Sequence, residues 1–231
     1  MSKQQEEKKG LESVNTALTK TERMLERNRV WLLSGAVVIV MLVVGFLLYR
    51  SYVVIPNRQE AQEQIYFAEQ QFQKDSLDLA LNGDGNHLGF LQVIDKYGST
   101  PAGNLACYYA GLIYRDKGDW DNALKMLSAY KRVDKMVAPI AEGAMGDCYV
   151  EKGDLGSALK QYEKAVSSKY SGNPMTTPFF LAKLAVLHEH EGRLAEAKKA
   201  YERIRQDYPM SQQAREVEKN LARLAVLGAQ E

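Results

Sequence analysis

The sequence predicts an all-α chain: a single N-terminal transmembrane helix, then a helical solenoid of paired-helix repeats, closed by a C-terminal capping helix. Three observations predict it. Val30–Tyr49, "VWLLSGAVVIVMLVVGFLLY", runs for twenty residues without a charge. A pattern of small and aromatic residues recurs at a spacing of 35 residues. After its last copy, Val217, Leu221, Leu224 and Leu227 recur at helical steps, as a helix covering one open end of a stack requires.

The apolar run comes first in the chain. At 1.5 Å per residue a helix of this length covers roughly the 30 Å hydrocarbon core of a bilayer. A cleaved signal peptide has a shorter apolar region and a small-x-small cleavage site, whereas this run continues into Arg50, Tyr52 and an apolar "VVIP". No cysteine lies near it to carry a lipid. Lys20, Arg23, Arg27 and Arg29 precede the run, against Arg50 and Arg58 after it, so the charge bias predicts a cytoplasmic N-terminus. In a bacterial inner membrane the repeats then face the periplasm.

The tail before the span is polar, but Leu11, Val14, Leu18, Thr21 and Leu25 fall on one stripe of a helix. Such a stripe can bind a partner, pair with itself or lie on lipid; the alternative is a solvated tail that only sets topology. Of the 30 Lys and Arg, seven lie in the tail and one is Arg50; of the 29 Asp and Glu, five lie in the tail. The remainder carries a formal charge of −2, which leaves no electrostatic footprint for nucleic acid.

Past the membrane, Pro56 opens a segment in which Ala61, Ile65, Ala68 and Phe72 keep helical spacing, and which reads as helix to about Leu81. "NGDGNHLG" breaks it, and "FLQVIDKYGSTPAG" supplies the next short helix and its exit. Pro101 falls where Pro209 falls in the last repeat, so residues 60–101 read as a degenerate hairpin.

In the repeats, Gly111, Tyr114, Gly118, Ala123 and Leu127 are answered by Gly146, Tyr149, Gly153, Ala158 and Tyr162. A weaker copy, Ala185, His188, Gly192, Ala197 and Tyr201, follows 39 residues on, closed by Pro209; the insertion "SGNPMTTP" explains the longer interval and predicts a loop. Small residues mark the crossing of two helices, which a side chain larger than a methyl would force apart. "DKGDWDNAL" and "EKGDLGSAL" each supply a glycine for a positive-φ turn and an acid to cap the second helix. This period and code describe hairpins of tetratricopeptide type, which must stack because none alone buries enough. Ser211 is placed to cap the final helix. The expected organisation is a cytoplasmic tail (1–29), the transmembrane helix (30–49), a leading helix with the degenerate first hairpin (50–103), three repeats (104–209) and a capping helix (210–231).

The arrangement of short tail, membrane helix, polar helix and "GFLQVIDKYGSTPAGNLACYYAGLIYRDKGDWDNALKML" resembles the YfgM-type membrane-anchored tetratricopeptide proteins, in the version of Bacteroidetes-type bacteria. The resemblance covers essentially the whole chain. It implies an ancillary subunit of the Sec translocon, SecYEG, working beside a periplasmic prolyl-isomerase-like chaperone on emerging polypeptides. The other function class left open is a scaffold for a different envelope complex, such as division or outer-membrane export machinery.

By repeat position the first helix of each hairpin lines the concave wall. That assigns a partner-binding groove to Leu105, Tyr108, Leu112 and Arg115 from the first repeat, Ile140, Asp147 and Glu151 from the second, and Phe179, Val186 and His190 from the third. Apolar residues toward one edge and charges toward the other suit an extended or helical polypeptide without demanding one sequence. Burial of several by a neighbouring hairpin is the competing expectation. A clamp for a chain terminus needs clustered cations, and Arg115 stands nearly alone.

Catalytic and metal chemistry is not expected, and no cofactor is implied. His188 and His190 are two apart, on different faces of a helix, whereas paired ligands want a spacing of four. "NGDGNH" has His87 where a calcium loop needs its turn glycine and Val93 where it needs its last glutamate. Cys107 and Cys148 fall six positions out of register on first helices of adjacent repeats, beyond disulfide reach, so two buried thiols are expected.

Overall fold

The computed structural model describes residues 28–167 and 172–228. The tail stripe from Leu11 to Leu25 lies outside the described residues. The chain divides into two units, separated between Pro56 and Asn57.

The first unit is helix α1, Arg29–Tyr49, followed by a π-helical stretch, Arg50–Val54. The apolar window within this helical stretch is long and apolar enough to cross a membrane, and none of it is buried among the described residues. Trp31, Met41 and Phe46 all stand open, so α1 has no polar face to turn to water and no core to enter.

The next helix, α2, Ile55–Gln73, has its first two residues in the first unit and the rest in the second, where it buries Ala61, Ile65 and Ala68 along one stripe. The expected helix to Leu81 stops eight residues sooner. Asp75 takes φ 59°, and the Ser76 and Asp75 N–H groups return to the Gln71 and Phe72 carbonyls at 2.9 and 3.0 Å. This is a Schellman stop, with aspartate where glycine is usual. A short helix α3, Leu77–Asn82, follows. In the next loop Asp84 accepts the Asn86 and His87 N–H groups at 2.9 and 2.7 Å, so its carboxylate is spent on the turn. Helix α4, Phe90–Tyr97, packs Phe90, Val93 and Tyr97 into one cluster with the α2 stripe and with Ala102, Ala106, Ala110 and Ile113.

Three hairpins follow: α5 (Pro101–Asp116) with α6 (Trp120–Ala129), α7 (Val137–Glu151) with α8 (Leu155–Ser167), and α9 (Thr177–His190) with α10 (Leu194–Asp207). Pro101 is the first residue of α5, behind the Thr100 cap, and does not close the preceding hairpin. The hairpin turns at Gly118, Gly153 and Gly192 have φ of 76°, 75° and 72°. Asp119 and Asp154 cap the second helices by accepting the Asn122 and Ser157 N–H groups at 3.2 and 3.0 Å. Arg193 stands at that position in the third hairpin, so the weaker copy lacks the carboxylate cap.

The crossings are tighter than expected. A Cβ on Gly111 would lie 2.6 Å from Leu127 Cγ, and one on Gly146 would lie 2.5 Å from the Tyr162 ring, so even a methyl does not fit. Of the insertion, Thr177 and Pro178 belong to α9, and Gly172 ties to it by donating its N–H to Thr177 Oγ1 at 2.9 Å. The final helix α11, Ala214–Leu227, buries Val217 and Leu224 and half-buries Leu221 against the last hairpin. Ser211 Oγ accepts the Ala214 N–H at 3.2 Å. Leu227 is 40% exposed, so the cover ends one turn before the sequence pattern does.

Cys107 and Cys148 are free, buried thiols. Burial pushes both thiols up, Cys148 to about 11, which keeps them protonated and unreactive.

Candidate functional site

The first helices of the three hairpins, α5, α7 and α9, carry all ten residues assigned to the groove. Phe179, Val186 and His190 lie along one face of α9 and border a cleft of about 680 Å³. Its other walls are Val150 at the end of α7, Leu155 and Tyr162 on α8, Ala182, Lys183 and Leu187 on α9, and Gln213 before α11. The lining is mostly apolar, and Phe179 and Val186 are open at 42% and 58% exposure.

A polar recess of about 390 Å³ shares Val150, Tyr162 and Lys183 with this cleft. It adds Arg115, Asp116, Trp120, Asp147 and Glu151. Six of the assigned residues line these two spaces: Phe179, Val186 and His190 the apolar cleft, Arg115, Asp147 and Glu151 the charged end.

The remaining four of the ten line neither space. Tyr108 and Leu112 are each 8% exposed and belong to the core shared by α5, α6 and α7, with Tyr130, Ala141 and Cys148. They sit four apart, on the face of α5 turned to the next repeat, so they lie behind the wall. Ile140 is half-buried against the same core. Leu105 borders a separate recess with Asn104, Tyr130 and Val133.

Asp147 organises the charged end. Lys183 Nζ and the Tyr162 hydroxyl both donate to its Oδ1 at 2.6 Å. Arg115 Nη1 lies 3.8 Å from Oδ2, while Arg115 Nε and Nη2 donate to Asp116 at 2.9 and 2.7 Å. Burial, and then the bond to Asp147, push the Tyr162 phenol far up, so it stays a donor at any physiological pH. The Lys183 ammonium lies 5.1 Å from the Phe179 ring centroid and 5.9 Å from that of Tyr162. Lys183 thus joins Arg115, but Asp116, Asp147 and Glu151 outnumber the two cations, so the recess does not attract a free carboxylate. Such a surface suits an apolar segment flanked by polar or basic residues.

Sequence reasoning missed Lys183, Tyr162 and Leu155. Phe179, Lys183, Val186 and His190 fall at steps of four, three and four, a signal that Lys183 shares the face. Tyr162 fills the crossing position of the second helix, and only its hydroxyl reaches the recess.

His188 is buried beside this site at 6% exposure, and its Nδ1 has no hydrogen-bond partner. His190 is exposed at the cleft mouth, so the two histidines point apart. Among the described residues no three His, Cys, Asp or Glu groups come together as metal ligands.

Residues 108–174 and 144–212 match the family model of the tetratricopeptide repeat in two overlapping segments, from within α5 to the turn before α11. No curated protein matches the chain.

Proposed function

We propose that this chain is a non-catalytic, membrane-anchored interaction protein whose α7–α9 cleft holds apolar polypeptide segments. We assign it as an ancillary subunit of the Sec translocon that receives exported chains, with a chaperone-like or chaperone-recruiting role. Tetratricopeptide repeats serve protein–protein interaction, and the repeats of this chain are of that kind. The observation that carries the binding reading is the continuity of an open apolar cleft with a charged end centred on Asp147. Apolar lining gives affinity with little side-chain preference, as a protein meeting many chains needs, and the charged end favours one orientation of the segment.

The translocon assignment rests on the resemblance of the whole chain to the YfgM-type proteins. In that reading α1 anchors the protein in the bacterial inner membrane with its N-terminus cytoplasmic and the repeats periplasmic, and the partners are SecYEG and a prolyl-isomerase-like chaperone. A pull-down in mild detergent from native membranes, read by quantitative mass spectrometry, tests it. Translocon subunits at near-stoichiometric yield with a periplasmic folding factor support the assignment. Stoichiometric recovery of a division or outer-membrane export complex replaces it with the scaffold reading.

A further inference from the structure

We propose that the loop edge formed by residues 130–136 and 172–176 is a second interaction surface, which docks on anionic phospholipid headgroups of the membrane that holds α1. This goes beyond the cleft and rests only on α1 being a membrane anchor. The loop between α6 and α7 reads Lys131-Arg132-Val133-Asp134-Lys135-Met136. Val133 is 69% exposed and Met136 46%, and Met175 in the next inter-repeat loop is 73% exposed. The two loops adjoin: Asn173 Nδ2 lies 3.4 Å from Met136 Sδ and 3.5 Å from the Lys135 carbonyl. The two loops therefore present Val133, Met136 and Met175 as exposed apolar residues on one joined edge.

Cations outnumber carboxylates around them. Lys131 and Lys135 are exposed and have no acidic partner among the described residues. Arg58, also exposed and without an acidic partner among the described residues, borders the same recess as Lys131, Val133 and Asp134. The nearby acids are already engaged. Asp134 accepts the Met136 and Val137 N–H groups at 2.7 and 2.6 Å and the Tyr130 hydroxyl at 2.8 Å, and Glu142 pairs with Arg132. The loop is held in place, because Asn104 accepts the Lys131 N–H at 2.6 Å and donates to the Lys131 carbonyl at 2.9 Å.

Free cations around inserted apolar tips match phosphate headgroups over acyl chains. A cytosolic or periplasmic protein partner would have to find this edge by diffusion, whereas lipid is supplied by the tether. Only residues 50–57 separate Tyr49 from Arg58 in sequence, so the anchor keeps lipid at high effective concentration for this edge.

The test uses the full chain in nanodiscs of phosphatidylcholine alone or with one-third phosphatidylglycerol, followed by amide hydrogen exchange. Docking predicts exchange at residues 131–136 and 172–176 slower by about tenfold or more in the anionic discs, with α8 unchanged. Lys131→Glu with Lys135→Glu, and separately Val133→Ser with Met136→Ser, abolish that difference; all four residues are solvent-facing, and α8 exchange checks that the fold is intact. Equal exchange in both discs overturns the proposal, as does protection that survives Lys131→Glu with Lys135→Glu or that appears only when other membrane proteins are added. Failure to enter discs of either composition overturns the anchor and this proposal together, whereas insertion without lipid-dependent protection leaves the anchor standing and removes the docking alone.

Discussion

Gly143→Ala tests how closely α7 and α9 approach, the spacing that sets the width of the cleft. A Cβ at residue 143 would lie 1.9 Å from Phe180 Cε1 and 2.2 Å from Cζ. Ordinary carbon contacts are about 3.5–4.0 Å, so roughly 1.5–2 Å must open between the helices. Phe180 is 4% exposed and held between Tyr162 and Phe179, at ring-centroid distances of 6.4 and 5.1 Å, so its ring has no free space to enter. Overpacking of this kind costs about 1–3 kcal/mol, and parting the helices adds the loss of neighbouring contacts. Alanine recovers about 1 kcal/mol of helix propensity. We expect a net loss of about 2 kcal/mol, read as a lower urea midpoint by circular dichroism on the full chain in detergent, with exchange in α9 accelerated more than in α5. Adding Phe180→Leu removes the two closest of the three clashing ring atoms, Cε1 and Cζ, so the double variant should lose less than the two single losses summed, by about 1 kcal/mol. A Gly143→Ala protein as stable as the parent, or strictly additive losses, would refute the packing described between α7 and α9.

Other consequences follow from single groups. His188 is buried, and burial with Arg193 nearby lowers its pKa from the ordinary 6.5, against the opposing pull of Glu196, Glu163 and Glu191. The unfolded chain therefore takes up a proton first as pH falls through 6.5, and stability drops until the depressed folded value is passed. Replacing His188 with tyrosine, the residue of the other two repeats, should flatten the fall in Tm between pH 7 and 5; an unchanged pH dependence places the sensitivity elsewhere. Asp147→Asn strips the charge that Lys183 and Arg115 share, and a loss of about 1–2 kcal/mol is expected, smaller at high salt. Both thiols should resist an aromatic disulfide reagent in the native protein and react in denaturant, since burial raises them; rapid native reaction would show the α5–α7 core opening.

What the sequence made legible is what depends on local geometry. The turn glycines, the Asp119 and Asp154 caps and the small residues at each crossing follow from backbone rules that hold wherever a hairpin closes. The Schellman stop at Asp75 was not legible, because aspartate in the left-handed region looks like any polar helix residue. Tyr108 and Leu112 were assigned to the groove by repeat position, yet they face α7, and only the stacking angle of neighbouring hairpins decides which face of α5 stays open. Tyr162 was missed for the same reason, whereas Lys183 was legible from its steps along the Phe179–His190 face. Their meeting at Asp147 joins α8 and α9 to α7, and no single repeat contains it.

The central claim, that the α7–α9 cleft receives polypeptide, is tested most directly by a photo-crosslinking residue placed at Val186, with Lys160 on the outer helix α8 as the control position, in native membranes. The account predicts adducts at Val186 with exported polypeptides, lost when Phe179→Asp is added, and none at Lys160. Equal labelling at the two positions, or adducts at Val186 that survive Phe179→Asp, would contradict it.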